Sequence, residues 1–408
     1  MRTTHKTLTT ISSIAALTAG VLVVSTPAHA AKAVKSAKGV NAATATSLKD
    51  LGGMDALVKA AQKEGTLNVI ALPRAWANYG EAMDLFTKAF GIKINNDSPD
   101  GSSAYEIQTI KTAPKSKQPD VVDIGISHLA EADNGNLYAP YKVQTWNDIP
   151  DSAAKDASGR YFPDYYGQIA LSYDASIPVP PTSFKDLLKP DYKGMVAIGG
   201  DPSSATEALM SVFAANAVQG GTPENVQKGV DYFHQLKQSG NFVSALASGQ
   251  NFIAGAYKVS FSWDFNGPGA IDAAAKAGKS LKFVMPTDVV LQGTPYLQAI
   301  NKTAPHPAAA RLWEEFLYSQ NKGQLTAELS TTKAMSGSKI FSTIMGGQNI
   351  WISGAAHPAT EAAMRAKGVA INPPAGLETP KSATVVAPPT PDQQTSAQGL
   401  LKSAWPAI

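Results

Sequence analysis

Aromatic and polar side chains follow several predicted strands at their carboxyl ends. Trp263, Asp264 and Asn266 come at the end of a β-branched and aromatic run, and Trp76 occupies the comparable place in the amino-terminal half. Two indole rings facing each other across a groove can hold an aliphatic stem or a cationic head, and an adjacent carboxylate can neutralise an ammonium group. These residue types predict a site for an organic cation. The alternative is that each tryptophan packs within its own core.

Tyrosines and serines extend this candidate site. Tyr165 and Tyr166 precede the first predicted crossing between the two halves of the fold, and Tyr296 follows the second. Ser203 and Ser204 lie at a predicted helix start, where hydroxyls and unpaired backbone N–H groups favour a carboxylate or a phosphonate. The residues alone therefore leave the charge of the ligand open.

Catalytic, metal and cofactor sites are not indicated by any motif. The histidines are far apart in the sequence and form no HExxH pattern, and no strand is followed by a phosphate-binding loop. Ser127 is followed by His128, but the second glycine of a nucleophile elbow is missing. We expect no catalytic residue, metal or cofactor, and an exported hydrolase that uses Ser127 is the competing class. Asp123 is interpreted as a structural hydrogen-bond acceptor.

Composition argues against nucleic acid as a partner. The chain has 35 basic and 32 acidic residues among 408, with no basic cluster interleaved with aromatic residues. It has no cysteine, so neither disulfides nor a lipid-bearing cysteine is expected. We expect a monomer that is stabilised by its hydrophobic core.

The amino-terminal segment has the pattern of a secretory signal peptide. Arg2 and Lys6 precede an apolar stretch over residues 11–24, and small residues occupy 28–30. The apolar stretch is interrupted by polar residues, and it is shorter than the roughly 20 residues that a membrane-spanning helix needs. We predict cleavage after Ala30 and a mature protein in the periplasm.

Short β-branched runs alternate with amphipathic helical patterns, which is typical of an α/β fold. Asp201 and Pro202 predict the start of one of these helices, with Asp201 as its N-cap. Ligands of open α/β sheets bind at the carboxyl ends of the strands, so we expect the site in a cleft between two lobes. The predicted segments are a signal peptide (1–30), a flexible linker (31–47), the first part of lobe 1 (48–170), lobe 2 (171–288), a return to lobe 1 (289–333) and a carboxyl-terminal wrap on lobe 1 (334–408).

Three stretches resemble a known family, the extracellular type 1 solute-binding proteins of ABC importers, in the branch that handles polyamines, iron, thiamine and related solutes. They are residues 119–125, 181–194 and 200–202, and the similarity extends over about residues 48–330. The resemblance implies a two-lobed, type II-like periplasmic binding protein fold. Such a protein closes over one small solute and presents it to an inner-membrane ABC permease.

The resemblance also implies a ligand class. Polyamine-type members place aromatic residues and an acid where this chain has Trp263 and Asp264, whereas ferric-ion members carry a tyrosine pair there. The chain is therefore expected to capture an amine-bearing solute of the putrescine or spermidine type. The alternatives are an anionic or zwitterionic solute, such as an aminoalkylphosphonate or an amino acid derivative, and ferric iron.

Overall fold

A computed structural model describes residues 41–74, 76, 79–149, 154–318, 354–355 and 377–408. The predicted signal peptide lies outside these residues, as does most of the predicted carboxyl-terminal wrap. None of the helices in the described ranges has the length and hydropathy of a membrane span.

Strands and helices alternate along the described chain. The strands are β1 (Thr66–Ile70), β2 (Lys93–Asp97), β3 (Val121–Gly125), β4 (Tyr138–Ala139), β5 (Phe162–Pro163), β6 (Tyr165–Tyr166), β7 (Ile169–Asp174), β8 (Val196–Ile198), β9 (Phe242–Leu246), β10 (Val259–Trp263), β11 (Leu281–Val284), β12 (Val289–Leu291), β13 (Tyr296–Asn301), β14 (Gly354–Ala355) and β15 (Thr384–Val386). The helices are α1 (Met54–Glu64), α2 (Tyr79–Phe90), α3 (Ser103–Thr112), α4 (Leu129–Asn134), α5 (Thr206–Val218), α6 (Gln227–Gln238), α7 (Gly249–Ala254), α8 (Gly267–Lys276), α9 (Pro307–Leu317) and a carboxyl-terminal helix, Pro391–Ala404.

The first lobe is built around β13, which runs antiparallel to β3 and also pairs with β4 and β5. The parallel pair β1 and β2 packs beside β3. Because β13 follows the strands of the second lobe in sequence, the chain leaves the first lobe and returns to it.

The second lobe contains one sheet with the strand order β11-β7-β10-β8-β9. Strands β9, β8 and β10 are parallel, and β7 runs antiparallel to both β10 and β11. Parallel strands direct their carboxyl ends to one edge, so the loops after β8, β9 and β10 lie together at that edge.

Aromatic packing joins α2 to α9 in the first lobe. The ring centroid of Phe86 lies 5.2 Å from Trp313 and 5.3 Å from Phe316, and all three side chains are buried. The apolar residues of both segments recur at helical spacing, and each segment forms a helix. Truncating a buried tryptophan to alanine in such a core typically costs about 3–5 kcal/mol.

Helix α5 begins later than the sequence predicted. Asp201 was expected as its N-cap, but the N-cap residue is Ala205. The Asp201 carboxylate instead accepts the N–H of Ser203 at 2.8 Å, and its carbonyl accepts the N–H of Ser204. An Asx-type turn therefore precedes the helix, because the aspartate side chain satisfies its own local backbone.

The end of the predicted flexible linker is ordered against α9. Ala42 and Ala45 are buried, and Arg311 donates from Nε to the Ala45 carbonyl at 3.0 Å and from Nη2 to the Ala43 carbonyl at 3.3 Å. A buried guanidinium needs acceptors, and these carbonyls supply them.

The carboxyl-terminal residues contact elements of both lobes. Strand β15 pairs with β12. In the helix that follows, the Gln398 amide lies 3.4 Å from the Ser127 hydroxyl and 3.2 Å from His128. Beyond it, the Trp405 ring packs 5.1 Å from that of Phe233 in α6. The sequence placed this segment on the first lobe alone, whereas its described part also packs on the second.

Candidate functional site

A cavity of about 200 Å³ lies between the two lobes. On the first-lobe side it is lined by the loops after β1 and β2, by α3 and by Asp123 of β3. The loops after β8, β9 and β10 line it on the second-lobe side. The cavity therefore lies at the carboxyl ends of strands from both lobes, where open α/β sheets bind ligands.

Three buried carboxylates line this cavity. Glu106 is 2% exposed, Asp123 is 6% exposed and Glu207 is 9% exposed. Among the described residues, no lysine, arginine or histidine lines the cavity. The walls therefore carry negative charge without a cation of their own when these acids are ionised.

Asp123 has one carboxylate oxygen engaged and one without a partner. Its Oδ2 accepts the hydroxyl of Tyr79 at 2.9 Å and that of Tyr165 at 2.8 Å, whereas its Oδ1 has no hydrogen-bond partner. Burial raises the pKa of Asp123 to about 7, against the lowering effect of the two tyrosine hydrogen bonds. A buried carboxylate with a free oxygen can accept a hydrogen bond from a ligand.

Glu106 supports Asp123 from α3. Its Oε2 accepts the backbone N–H of Asp123 at 3.1 Å. Burial raises the pKa of Glu106 well above its usual value, and the nearby Asp123 charge raises it further. The two acids thus form a close pair whose ionisation is disfavoured in the absence of a cation.

Glu207 is the acid of the second lobe. Its Oε2 accepts the backbone N–H of Trp263 and the Nδ2–H of Asn266, each at 3.1 Å. Burial raises the pKa of Glu207 to about 7. With its nitrogen directed to Glu207, Asn266 keeps a buried Oδ1 without a partner, and the neighbouring Thr206 hydroxyl also has none.

The aromatic residues predicted from the sequence meet in one cluster. The Tyr296 ring lies 5.9 Å from Trp76, 6.2 Å from Trp263 and 5.3 Å from Tyr165. Trp76 and Tyr296 line the cavity. Trp263 is fully buried and donates from Nε1 to the Tyr296 hydroxyl at 3.2 Å, and Trp76 donates to the hydroxyl of Tyr165. Each indole thus contacts Tyr296, and the two rings do not face each other across an open groove.

Asp264 is buried and does not line the cavity. Its Oδ1 accepts the N–H of Gln168 at 3.0 Å, and a Cβ at position 167 would lie 2.3 Å from the same oxygen, so Gly167 is required there. Asp264 lies in the turn that follows β10. Within β10, successive side chains point to opposite faces, so Ser262 lines the cavity and Trp263 does not.

Of the remaining residues predicted from the sequence, some line the cavity and others do not. Asn266 lines the cavity, whereas Tyr166 lies in β6, which pairs with β14. Ser203 and Ser204 belong to the turn before α5 and do not line the cavity. The hydroxyls proposed for an anion therefore do not reach this cavity, although the first turn of α5, with Ala205, Thr206 and Glu207, lines it.

Glu106 and Glu207 were not singled out from the sequence. Both lie in the first turn of a helix, where an acid is ordinarily a surface partner of the helix dipole. Only the tertiary fold buries them.

Metal coordination is not apparent at this cavity. Within the described ranges, no group of three or more His, Cys, Asp or Glu side chains is arranged to hold a metal ion.

Known structures share this architecture. The periplasmic binding protein AfuA from Actinobacillus pleuropneumoniae, solved with exogenous fructose-6-phosphate bound, gives a TM-score of 0.55 at 17% identity, over 84% of this chain and 97% of that one. A periplasmic thiamin binding protein gives 0.55 at 16% identity, over 83% and 95%. A putative spermidine/putrescine ABC transporter protein from Listeria monocytogenes gives 0.52 at 12% identity, over 84% and 100%. At these identities the similarity shows the two-lobed fold alone.

Sequence comparison identifies the family. Among curated proteins, no sequence match is found. Residues 81–335, more than half of the chain, match the family described as bacterial extracellular solute-binding protein. With its two-lobed α/β fold, the chain belongs to this family, whose members deliver small solutes to ABC permeases.

Proposed function

We propose that this protein captures a solute bearing a protonated amine in the cavity between its lobes and delivers it to an inner-membrane ABC permease. The observation that carries the proposal is the charge of the walls: Glu106, Asp123 and Glu207 line the cavity, and no described basic residue does. Aromatic walls from Trp76 and Tyr296 complete the site for a cation.

Desolvation explains why an amine fits these walls. A buried carboxylate without a counter-ion is unfavourable, as the raised pKa values of Asp123 and Glu207 show. An ammonium group would neutralise this charge and donate hydrogen bonds to the unpartnered oxygens of Asp123, Thr206 and Asn266. Each such charge-assisted bond contributes about 1.5–3 kcal/mol.

An anionic solute would be repelled by the charge of the cavity walls. Its charge would approach three carboxylates without a basic side chain to pair with, which disfavours a sulfate, a phosphonate or a sugar phosphate. Ferric iron is the other alternative from the sequence. It would have to displace the hydrogen bond that Tyr165 donates to Asp123.

The proposal includes no catalytic step. Ser127 and His128, the residues of the hydrolase alternative, are buried, do not line the cavity and are contacted by Gln398. The protein would bind its solute on closure and release it unchanged. Export through cleavage after Ala30 is part of the same proposal, and amino-terminal sequencing of the secreted protein tests it.

A thermal-shift comparison tests the ligand class. Butylamine, putrescine or spermidine should raise the melting temperature of the mature protein, because a ligand that binds only the folded state stabilises it by mass action. Sulfate and 2-aminoethylphosphonate serve as the anionic and zwitterionic comparisons. Stabilisation by these two and by none of the amines would replace our proposal with the anion alternative.

Amine affinity should fall as the pH is lowered from 8 to 6. The pKa values of Asp123 and Glu207 are about 7 in the free protein, and binding of an ammonium group requires the ionised carboxylates. Below pH 7 each carboxyl must first lose a proton, so the affinity should decrease about tenfold to a hundredfold over this range. Isothermal titration calorimetry at both pH values, in buffers of different ionisation enthalpy, measures the affinity and the proton release. Unchanged affinity without proton release would contradict the role of these acids.

A further inference from the structure

The cavity continues from the carboxylates into the second lobe. There it lies between one face of the sheet, with Ser172, Ser260 and Phe283, and two helices: α8, which packs on β11, and α7, which packs on α8. The helices contribute Phe252 and Ala273 to the wall. This part of the cavity is predominantly apolar.

The polar groups at this apolar end are already satisfied. The hydroxyls of Ser172 and Ser260 bond to each other at 2.7 Å, and the Tyr257 hydroxyl donates to the Ser248 carbonyl at 3.1 Å. In the described part of the chain, the buried unpartnered oxygens on the cavity wall belong to Asp123, Thr206 and Asn266, at the other end. A second ammonium group at the apolar end would find no buried carboxylate and no buried oxygen without a partner, since the remaining acid of the wall, Asp100, is exposed in the first-lobe loop after β2.

From this asymmetry we infer that the solute is a monoamine with an apolar body and not a diamine or polyamine. This inference rests on the proposed function. Its ammonium group lies among Glu106, Asp123 and Glu207, and its hydrocarbon or aromatic part lies between the sheet and α8, against Phe252 and Phe283. Burial of a second, unpaired ammonium group would cost more than its hydrocarbon contacts return.

Pentylamine and 1,5-diaminopentane provide a matched test, because they share a carbon chain and differ by one ammonium group. Calorimetric titration of the mature protein at pH 8 should show that pentylamine and phenethylamine bind at least tenfold more tightly than 1,5-diaminopentane and putrescine. Equal or tighter binding of the diamines would overturn the monoamine inference and leave the proposed function intact. Failure of every amine to bind would overturn the proposed function itself.

A variant with a smaller apolar end tests where the apolar part of the solute lies. Ala273→Leu adds volume to the wall on α8, and Ala275→Leu adds the same volume at an exposed position of the same helix that does not line the cavity. With folding checked by circular dichroism, Ala273→Leu should weaken phenethylamine binding at least tenfold and change methylamine binding less than twofold. The Ala275→Leu variant should bind both as the wild type does. If Ala273→Leu left phenethylamine affinity unchanged, the apolar body would not lie where we place it.

Discussion

Replacing Asp123 by asparagine is expected to abolish amine binding at pH 8 without destabilising the free protein. The Oδ1 of Asp123 has no partner, and its carboxylate would be the main counter-charge of the ammonium group. Truncating one partner of a buried charge pair typically costs about 2–5 kcal/mol, which corresponds to at least a roughly 30-fold loss of affinity. Isothermal titration calorimetry with the best-binding amine measures this loss.

The stability of the free protein separates this effect from misfolding. The pKa of Asp123 is raised by burial to about 7, above its value in the unfolded chain, so the folded protein retains a proton that the unfolded chain loses. Its contribution to wild-type stability is therefore present at acid pH and is lost as the pH rises to about 7. Asparagine removes this dependence while keeping an acceptor for the Tyr79 and Tyr165 hydroxyls. At pH 8 the free variant should be at least as stable as the wild type, with a gain of up to a few kcal/mol.

Asp264→Asn is the matched control. Asp264 is also a buried carboxylate, but it does not line the cavity, and its Oδ1 accepts the N–H of Gln168. We expect its replacement to change amine affinity less than about threefold, since the amide oxygen can accept the same hydrogen bond. If Asp264→Asn abolished binding and Asp123→Asn did not, the assignment drawn from sequence would be right and ours would be wrong.

Replacing Gly125 by alanine is expected to prevent the two lobes from meeting as they do in this structure. A Cβ at position 125, at the end of β3, would lie 2.0 Å from the Thr206 hydroxyl oxygen at the start of α5. Its backbone angle φ of −67° suits alanine, so the first lobe should fold normally. Because capture requires closure, amine affinity should fall about a hundredfold.

Small-angle X-ray scattering tests the conformational basis of that loss. The wild type should become more compact on addition of the amine, whereas Gly125→Ala should not. Gly399→Ala is the matched control, because a Cβ at position 399 meets no atom within 4 Å. Normal binding and compaction of Gly125→Ala would show that the approach of Gly125 to Thr206 is not needed for capture.

Local pattern predicted much of the architecture. Helices α2 and α9 follow from the spacing of their apolar residues, since each buries one face against the other. Strand β13 pairs with β3 although it follows the strands of the second-lobe sheet in sequence. The start of α5 was missed because Asp201 can cap a helix or close its own turn, and sequence does not decide between them.

The site was harder to predict because its acids are brought together only by the fold. Glu106, Asp123 and Glu207 are widely separated in sequence, and no pattern shows that the loops around them bury all three. The sequence instead indicated Trp263 and Asp264 as the cation site, because an indole and a carboxylate are adjacent there. Alternation of side chains along β10 directs Ser262 to the cavity and Trp263 away from it. Residue types thus predicted a cation site, and tertiary structure changed the residues proposed to form it.

A crystal structure of the mature protein with a bound amine tests the central claim most directly. We predict that the amine nitrogen lies about 2.7–2.9 Å from the Oδ1 of Asp123, with Glu207 on the opposite wall and the two lobes in contact. An amine bound elsewhere, or bound in the cavity with its nitrogen directed away from Asp123 and Glu207, would contradict the account.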